Sequence, residues 1–351
     1  MNNKRVLLVT SYIHKIRERL AQENESPRQD FDELTKALDA KMISFSDLEK
    51  GPKSVRIATK LFGPAVGLAL YGYKEKANLY LTLAENTGMF LAFLLKFRKN
   101  VKLVIVGHKI SAGKKRYIFK SLNLFSRIDG VIAYNQPQID FAKDFLNVPE
   151  YKLHRIDFQV DQLFYTDSPS SSPRHGIVSI GRELRDYPTF IEAVRGLDIN
   201  VTIVASSPWS RRKDETKNKD LPANIELKKG LTSEELRDLY RHCQMVVIPL
   251  QNVDSPAGVT SLFEAQSVNR PVIITDTIGI QDCLSENGQI LANLENPQDL
   301  REKIEKFMKN PDYAQKIAQA GHDETISKRT MNQYVSRILK ICEDAENFKN
   351  D

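Results

Sequence analysis

The sequence predicts an α/β chain of two domains, each a doubly wound parallel sheet, on three observations. Apolar runs of strand length alternate with segments of helical periodicity, as expected for parallel sheets covered on both faces. The alternation stops in the Ser- and Pro-rich segment Thr166–His175 and resumes directly after it. A length of 351 residues is long for one core and natural for two. The hydrophobic content of 41 % supports sizeable cores and excludes a disordered chain.

The first domain is expected over residues 1–165. Its strands are placed at Val6 to Thr10, Leu79 to Leu83, Leu103 to Gly107 and Gly130 to Tyr134, where short apolar runs end in turn-forming residues. Helices are expected at Asp30 to Leu38, Thr87 to Phe97, Gly113 to Phe125 and Pro137 to Leu146. Residues 166–175 read as a linker. The second domain, 176–330, runs through strands at Gly176 to Gly181, Asn200 to Ala205, Ile225 to Lys228 and Met245 to Ile248, with helices at Pro188 to Val194 and Ser233 to Cys243. Helical sequence follows from Pro297 to the end. The apolar stretch at the N-terminus is too short for a signal peptide, so the default location is cytoplasmic. Cys243, Cys283 and Cys342 lack metal-ligand spacing and read as buried thiols in a reducing compartment.

The segment Ser255–Asp276, SPAGVTSLFEAQSVNRPVIITD, reads as loop, helix, turn and buried strand, with one carboxylate, Glu264, set into the helix. Gly258 frees the backbone to turn, and Val259, Thr260 and Ser261 form the first turn, whose amides precede the intrahelical ladder and suit an anion such as a diphosphate. Glu264 follows on the second turn, placed to accept hydrogen bonds from vicinal hydroxyls such as a ribose offers. Spacing alone is equally compatible with an ordinary helix–strand unit and a solvated glutamate.

This run resembles the donor-binding signature of GT-B glycosyltransferases, particularly glycosyltransferase family four, in which a Glu-Ala dipeptide lies in this helix and a Pro-Val-Ile strand follows. The resemblance implies two Rossmann-like domains facing a cleft, with the second binding a nucleoside-diphosphate sugar and the terminal helix, 331–351, packing back on the first. It implies transfer to an unidentified acceptor (a glycan, a lipid-linked molecule or a small molecule) with retention of anomeric configuration, without a metal ion and without a cofactor. One departure concerns the family's first glutamate, eight positions before the second. Pro256 stands there and offers no side-chain hydrogen bond.

The loop Gly181-Arg-Glu-Leu-Arg185 ends the first strand of the second domain, where ligands bind in doubly wound sheets. Guanidinium groups clamp phosphate oxygens with paired donors. The resemblance gives Arg182 and Arg185 the part of neutralising a leaving diphosphate, the alternative being exposed arginines paired with Glu183 or Asp186. His108, just beyond a buried strand of the first domain, is by position alone a packed or solvent-facing histidine. By resemblance it lines the cleft near the transferred sugar and can bond a hydroxyl or help deprotonate the acceptor. A second departure is the absence of a glycine-rich loop after the first strand, which leads into Ser11 and Tyr12; Arg28 and Asp30 beyond it read as a helix entry.

The formal charge of +6 is unevenly placed. Lys96, Arg98, Lys99, Lys102, Lys109, Lys114, Lys115, Arg116 and Lys120 fall in one acid-free stretch with Phe93, Leu94, Leu95 and Phe97 before it and Tyr117, Ile118, Phe119 and Leu122 within or after it. The pattern fits peripheral contact with an anionic membrane, or core residues with solvated basic ends. No nucleic-acid motif accompanies it. Ile57 to Tyr73 is apolar but interrupted by Lys60, Pro64 and three glycines, so it reads as a buried irregular helix or an acceptor-side segment that dips into a membrane surface. Two further functions fit the same features: a non-catalytic GT-B subunit that binds or activates a partner, which Pro256 favours, and a nucleotide-sugar epimerase, for which no matched acid and base pair is evident.

Overall fold

A computed structural model of the protein describes residues 4–13, 17–111, 117, 120–167, 174–181, 183–205 and 221–348. The chain divides into two compact units, the first comprising residues 1–19, 28–156 and 332–351, the second residues 20–27 and 157–331.

In unit 1, strands β1 (Arg5–Val9), β2 (Ala40–Ser44), β3 (Leu79–Thr82), β4 (Lys102–Val106), β5 (Gly130–Ala133) and β6 (Leu153–Arg155) form one parallel sheet in the order β2-β1-β3-β4-β5-β6. Four of the six lie where apolar runs predict them. The other two, β2 and β6, are the sheet's edges, and their residues are largely half-exposed, so no continuous apolar run marks them.

The Ile57–Tyr73 stretch belongs to two helices, Lys53–Phe62 and Pro64–Lys74, broken where Gly63 takes φ of 92° and Pro64 opens the second. The helices pack closely, because a Cβ on Gly67 would lie 1.9 Å from the Thr59 hydroxyl oxygen. Of the helix expected at Gly113 to Phe125, residues 113–116, 118 and 119 lie outside the described residues; Leu124–Arg127 is a 3₁₀ turn. The helix expected from Pro137 begins at Gln136 and passes at Phe141 into a π turn that ends at Phe145. The C-terminal helix, Met331–Asn347, buries Tyr334, Ile338, Ile341, Cys342 and Ala345 at helical spacing. Its Glu346 takes a two-pronged ion pair from Arg5 of β1, with Nη2 to Oε2 at 2.7 Å and Nε to Oε1 at 3.1 Å.

In unit 2, strands β7 (Ile177–Ile180), β8 (Val201–Val204), β9 (Ile225–Lys228), β10 (Met245–Ile248), β11 (Val272–Thr275) and β12 (Ile290–Ala292) form a second parallel sheet in the order β12-β11-β10-β7-β8-β9. The chain enters this unit at Asp157, ahead of the expected linker, because Val160, Phe164 and Tyr165 pack into its core with Val178, Tyr240 and Phe263. Residues 20–27 also belong to it; Arg237 Nη1 donates to the Asn24 carbonyl at 3.1 Å. Residues 168–173 of the expected linker lie outside the described residues.

The strand order of unit 2 reverses between β7 and β10. Ligands of doubly wound sheets bind at such a switch point, beyond the strands' C-terminal ends. An isolated bridge between Arg185 and Leu250 joins the two loops that leave β7 and β10.

Candidate functional site

Gly181 ends β7 with φ of +125°, and a Cβ there would lie 2.3 Å from Nη2 of Arg185. The guanidinium therefore passes directly beneath this glycine. Arg185 is 6 % exposed. Its Nη1 donates to the Glu183 carbonyl at 3.0 Å, and its Nη2 donates to the Ile180 carbonyl at 3.1 Å and the Ser261 hydroxyl at 3.2 Å. Its Nε is buried without an acceptor among the described residues. Burial lowers the pKa of Arg185, yet a guanidinium starts so high that it stays charged. Arg182, its companion in the sequence reading, lies outside the described residues.

The Val259–Ser267 helix starts at Gly258, whose φ of 83° is left-handed and whose backbone presses on β10 and the loop beyond it; a Cβ there would lie 2.9 Å from Ile248 and 3.0 Å from Leu250. Its first intrahelical bond runs from the Leu262 amide to the Gly258 carbonyl at 2.9 Å, so the amides of Val259, Thr260 and Ser261 precede the ladder. Val259 is buried and Thr260 exposed. Ser261 donates its hydroxyl to the Ile180 carbonyl at 3.0 Å while accepting from Arg185, which ties the helix start to the end of β7. Its side chain is thus engaged within the fold, whereas the Thr260 hydroxyl faces solvent.

Glu264, one turn further, is partly exposed and accepts from the Tyr240 hydroxyl at 2.9 Å on Oε2. Burial raises its pKa to about 7, against the lowering effect of hydrogen bonds from Tyr165 and Tyr240 and the charge of Arg185. Both tyrosines are buried, their rings edge to face at 6.1 Å, and both are held neutral by burial and the nearby carboxylate. The sequence reading missed these two donors. Tyr240 sits on the Ser233–His242 helix, which a Thr232–Glu235 capping box positions. No periodicity distinguishes Tyr240 from a core residue.

In unit 1, His108 follows β4, is exposed, and donates its backbone N–H to Glu85 Oε2 at 3.2 Å. Its ring lies 5.4 Å from that of Tyr134, whose hydroxyl meets the Tyr334 hydroxyl at 2.9 Å. Asp30 is brought within electrostatic reach of this group. Burial raises its carboxyl pKa, while the Phe31 amide and His108 pull it down. The sequence had left Asp30 as a helix entry, which it also is.

A cavity of about 740 Å³ in unit 2 opens among His175, Asn200, Asn224, Glu226, Asp238 and His242. It lies at the N-terminal ends of β7, β8 and β9, shares no lining residue with the Glu264 group, and is at the wrong end of the sheet for the ligands this topology takes. Among the described residues no group of three His, Cys, Asp or Glu is placed to hold a metal ion, and no helix is long and apolar enough to cross a membrane. Cys243, Cys283 and Cys342 are buried and in no disulfide, and burial pushes the thiols of the first and last up to about 12.

Residues 174–324, which contain the Glu264 group apart from Tyr165, match the family model described as glycosyl transferases group 1. Over this segment the chain is similar to that family. An uncharacterized glycosyltransferase of Methanocaldococcus jannaschii is 24 % identical over 156 residues, which span 44 % of this chain and 43 % of the relative. Three solved structures share the architecture across nearly the whole chain. Sucrose-phosphate synthase from Thermosynechococcus elongatus matches with a TM-score of 0.74 at 14 % identity, covering 97 % of this chain and 98 % of that one. A glycosyltransferase from Rickettsia africae matches with 0.68 at 16 %, covering 99 % and 100 %. HepE of Anabaena, in complex with UDP-glucose, matches with 0.69 at 14 %, covering 96 % and 99 %. The fold is α/β of the GT-B type, with two Rossmann-like units.

Proposed function

We propose that this chain is a glycosyltransferase that moves a sugar from a nucleoside diphosphate to an acceptor hydroxyl. The observation that carries the reading is the placement of Glu264 one turn beyond three open helix amides, at the switch point of the unit that matches the family. The amides of Val259, Thr260 and Ser261 take the diphosphate, with the Arg185 charge behind them and Arg182, next to Gly181 in the sequence, as the second cation of the reading. A carboxylate offers about four lone-pair positions, of which Tyr165 and Tyr240 use two, so two remain for the vicinal hydroxyls of a ribose. Uridine is the first base to try, because the similar HepE was solved with UDP-glucose.

In the step itself the bond between the anomeric carbon and the β-phosphate oxygen breaks and a bond to the acceptor oxygen forms on the same face. The acceptor's proton passes to the departing diphosphate. Such a step needs oriented positive charge rather than a protein nucleophile. Helix amides and arginines supply that charge in place of a metal ion. His108, just after β4 in unit 1, is the candidate there to bond an acceptor hydroxyl.

The test is thermal stabilisation of the wild type and Glu264→Ala by nucleoside diphosphates and their sugars, followed by release of free nucleotide from the donor that binds. Saturation at a hundredfold over Kd adds about 2.7 kcal/mol. A shift with one nucleotide, abolished by the substitution, supports the donor site; no shift with any nucleotide ends this reading. Binding without release, even with acceptors supplied, favours the second reading, a donor-binding subunit without turnover. That reading draws on Pro256, which has no side-chain donor or acceptor.

A further inference from the structure

The Lys53–Phe62 helix of unit 1 buries Val55 alone and half-buries Ala58 and Thr59 against the following helix. At 100° per residue, Lys53, Arg56, Ile57, Lys60 and Leu61 share the opposite arc, all of them exposed. Ile57 is 49 % exposed, Leu61 67 % and Phe62, at the Gly63 elbow, 70 %. A helix facing only water has little reason to place branched aliphatic residues on its outer arc. From Lys50 to Lys74 the chain carries Lys50, Lys53, Arg56, Lys60 and Lys74 and no carboxylate.

We propose that this face of the Lys53–Phe62 helix is a docking surface for a bilayer rich in anionic lipid, on which the protein rests without crossing. Ile57 and Leu61 enter the boundary between headgroups and acyl chains. Lys53, Arg56 and Lys60, interleaved with them on one arc, meet the headgroup phosphates. The pattern selects a bilayer over a protein partner because cations and apolar side chains alternate along the helix with no acid, the arrangement that a surface both anionic and apolar satisfies at once. Ten residues are too few to span a membrane, so the helix lies in the interface plane. This inference goes beyond the donor reading and does not depend on it.

The experiment is sedimentation of the full chain with phosphatidylcholine vesicles, with and without about a third phosphatidylglycerol, at low and high salt. The expected result is binding to the anionic vesicles at low salt, at least tenfold weaker to phosphatidylcholine alone. Ile57→Ser with Leu61→Ser, and separately Lys53→Gln with Arg56→Gln and Lys60→Gln, are expected to lose tenfold or more. Both sets should keep the thermal midpoint of the wild type, because these side chains are exposed. Failure of the wild type to bind anionic vesicles overturns the proposal. So does undiminished binding by either folded variant, since the contact then lies elsewhere or does not involve insertion.

Discussion

Tyr240 and Glu264 share a hydrogen bond of 2.9 Å between a fully buried phenol and a carboxyl that burial raises to about 7. The pair sits one helical turn beyond the open amides at Gly258. A carboxylate held this way is costly to keep charged without a ligand, and hydroxyl donors from a ribose would offset that cost.

The cost is visible as pH dependence. Glu264 binds its proton more tightly in the folded than in the unfolded chain, so its contribution to stability is greatest below the ordinary value of 4.5 and falls as pH rises to about 7, beyond which it is constant. The full fall corresponds to at most about 3 kcal/mol, reduced by whatever solvent reaches the carboxylate. Glu264→Gln removes it. Urea unfolding should show the variant more stable than wild type at pH 8 and the two converging near pH 4, while nucleotide stabilisation is lost. A wild-type curve that rises between pH 5 and 7 relative to the variant contradicts the assignment.

Nucleotide affinity should carry the same signature with opposite sign. Ribose hydroxyls donate best to the ionised carboxylate, so the Kd for a bound nucleoside diphosphate is expected to fall several-fold between about pH 6 and 8 and to level off above it. Titration calorimetry checks this, with the corresponding nucleoside, lacking phosphate, as the control for ionisation of the diphosphate itself.

Gly181→Ala tests the loop after β7, beneath the proposed diphosphate position. The added Cβ would fall 2.3 Å from the Arg185 guanidinium, and φ of +125° is strained for any side chain. A loss of about 1–3 kcal/mol is expected in urea unfolding. Arg185 must also leave its acceptors on Ile180 and Ser261, so the substitution should weaken nucleotide binding beyond its effect on stability.

Much of this site was legible in the sequence, and the parts that were not have physical causes. Gly258, the first helical turn and Glu264 stand in one contiguous run, so their local geometry follows from turn and cap chemistry. The partners of Glu264 come from elsewhere in the chain: Tyr165 precedes the segment read as linker, and Tyr240 looks like any apolar-face residue of its helix. Arg185 was legible as a charge on the loop after β7, but its inward turn depends on Gly181 making room. In the fold, β1, β3, β4 and β5 carry apolar runs because they are buried on both sides, whereas the edge strands β2 and β6 do not. Unit membership of residues 20–27 rests on long-range contacts such as Arg237 to Asn24, which no local pattern reveals.

The C-terminal helix is predicted to be integral to unit 1. Glu346→Ala removes both prongs of the Arg5 pair, whose side chains are only 21 % and 12 % exposed, and leaves a largely buried guanidinium short of its acceptor. About 1–3 kcal/mol should be lost by thermal or urea unfolding, and Arg5→Ala with Glu346→Ala should cost less than the sum of the two. Strict additivity would mean that the pair contributes nothing.

Asp30 offers the sharpest test of the His108 group. Burial raises its carboxyl, so its contribution to stability declines as pH climbs from the ordinary 3.8 through the folded value. His108, Asp32, Tyr134 and Tyr334 are the titratable groups that share its field, and of these only His108 lowers the pKa of Asp30. Asp30→Asn should therefore stabilise the chain at neutral pH and flatten its acid profile. His108→Ala should move the Asp30 carboxyl-carbon NMR titration upward, because the substitution removes a charge that favours the carboxylate. An unchanged Asp30 titration in His108→Ala would show that the histidine does not share its field, and Asp30 would then be a helix entry alone.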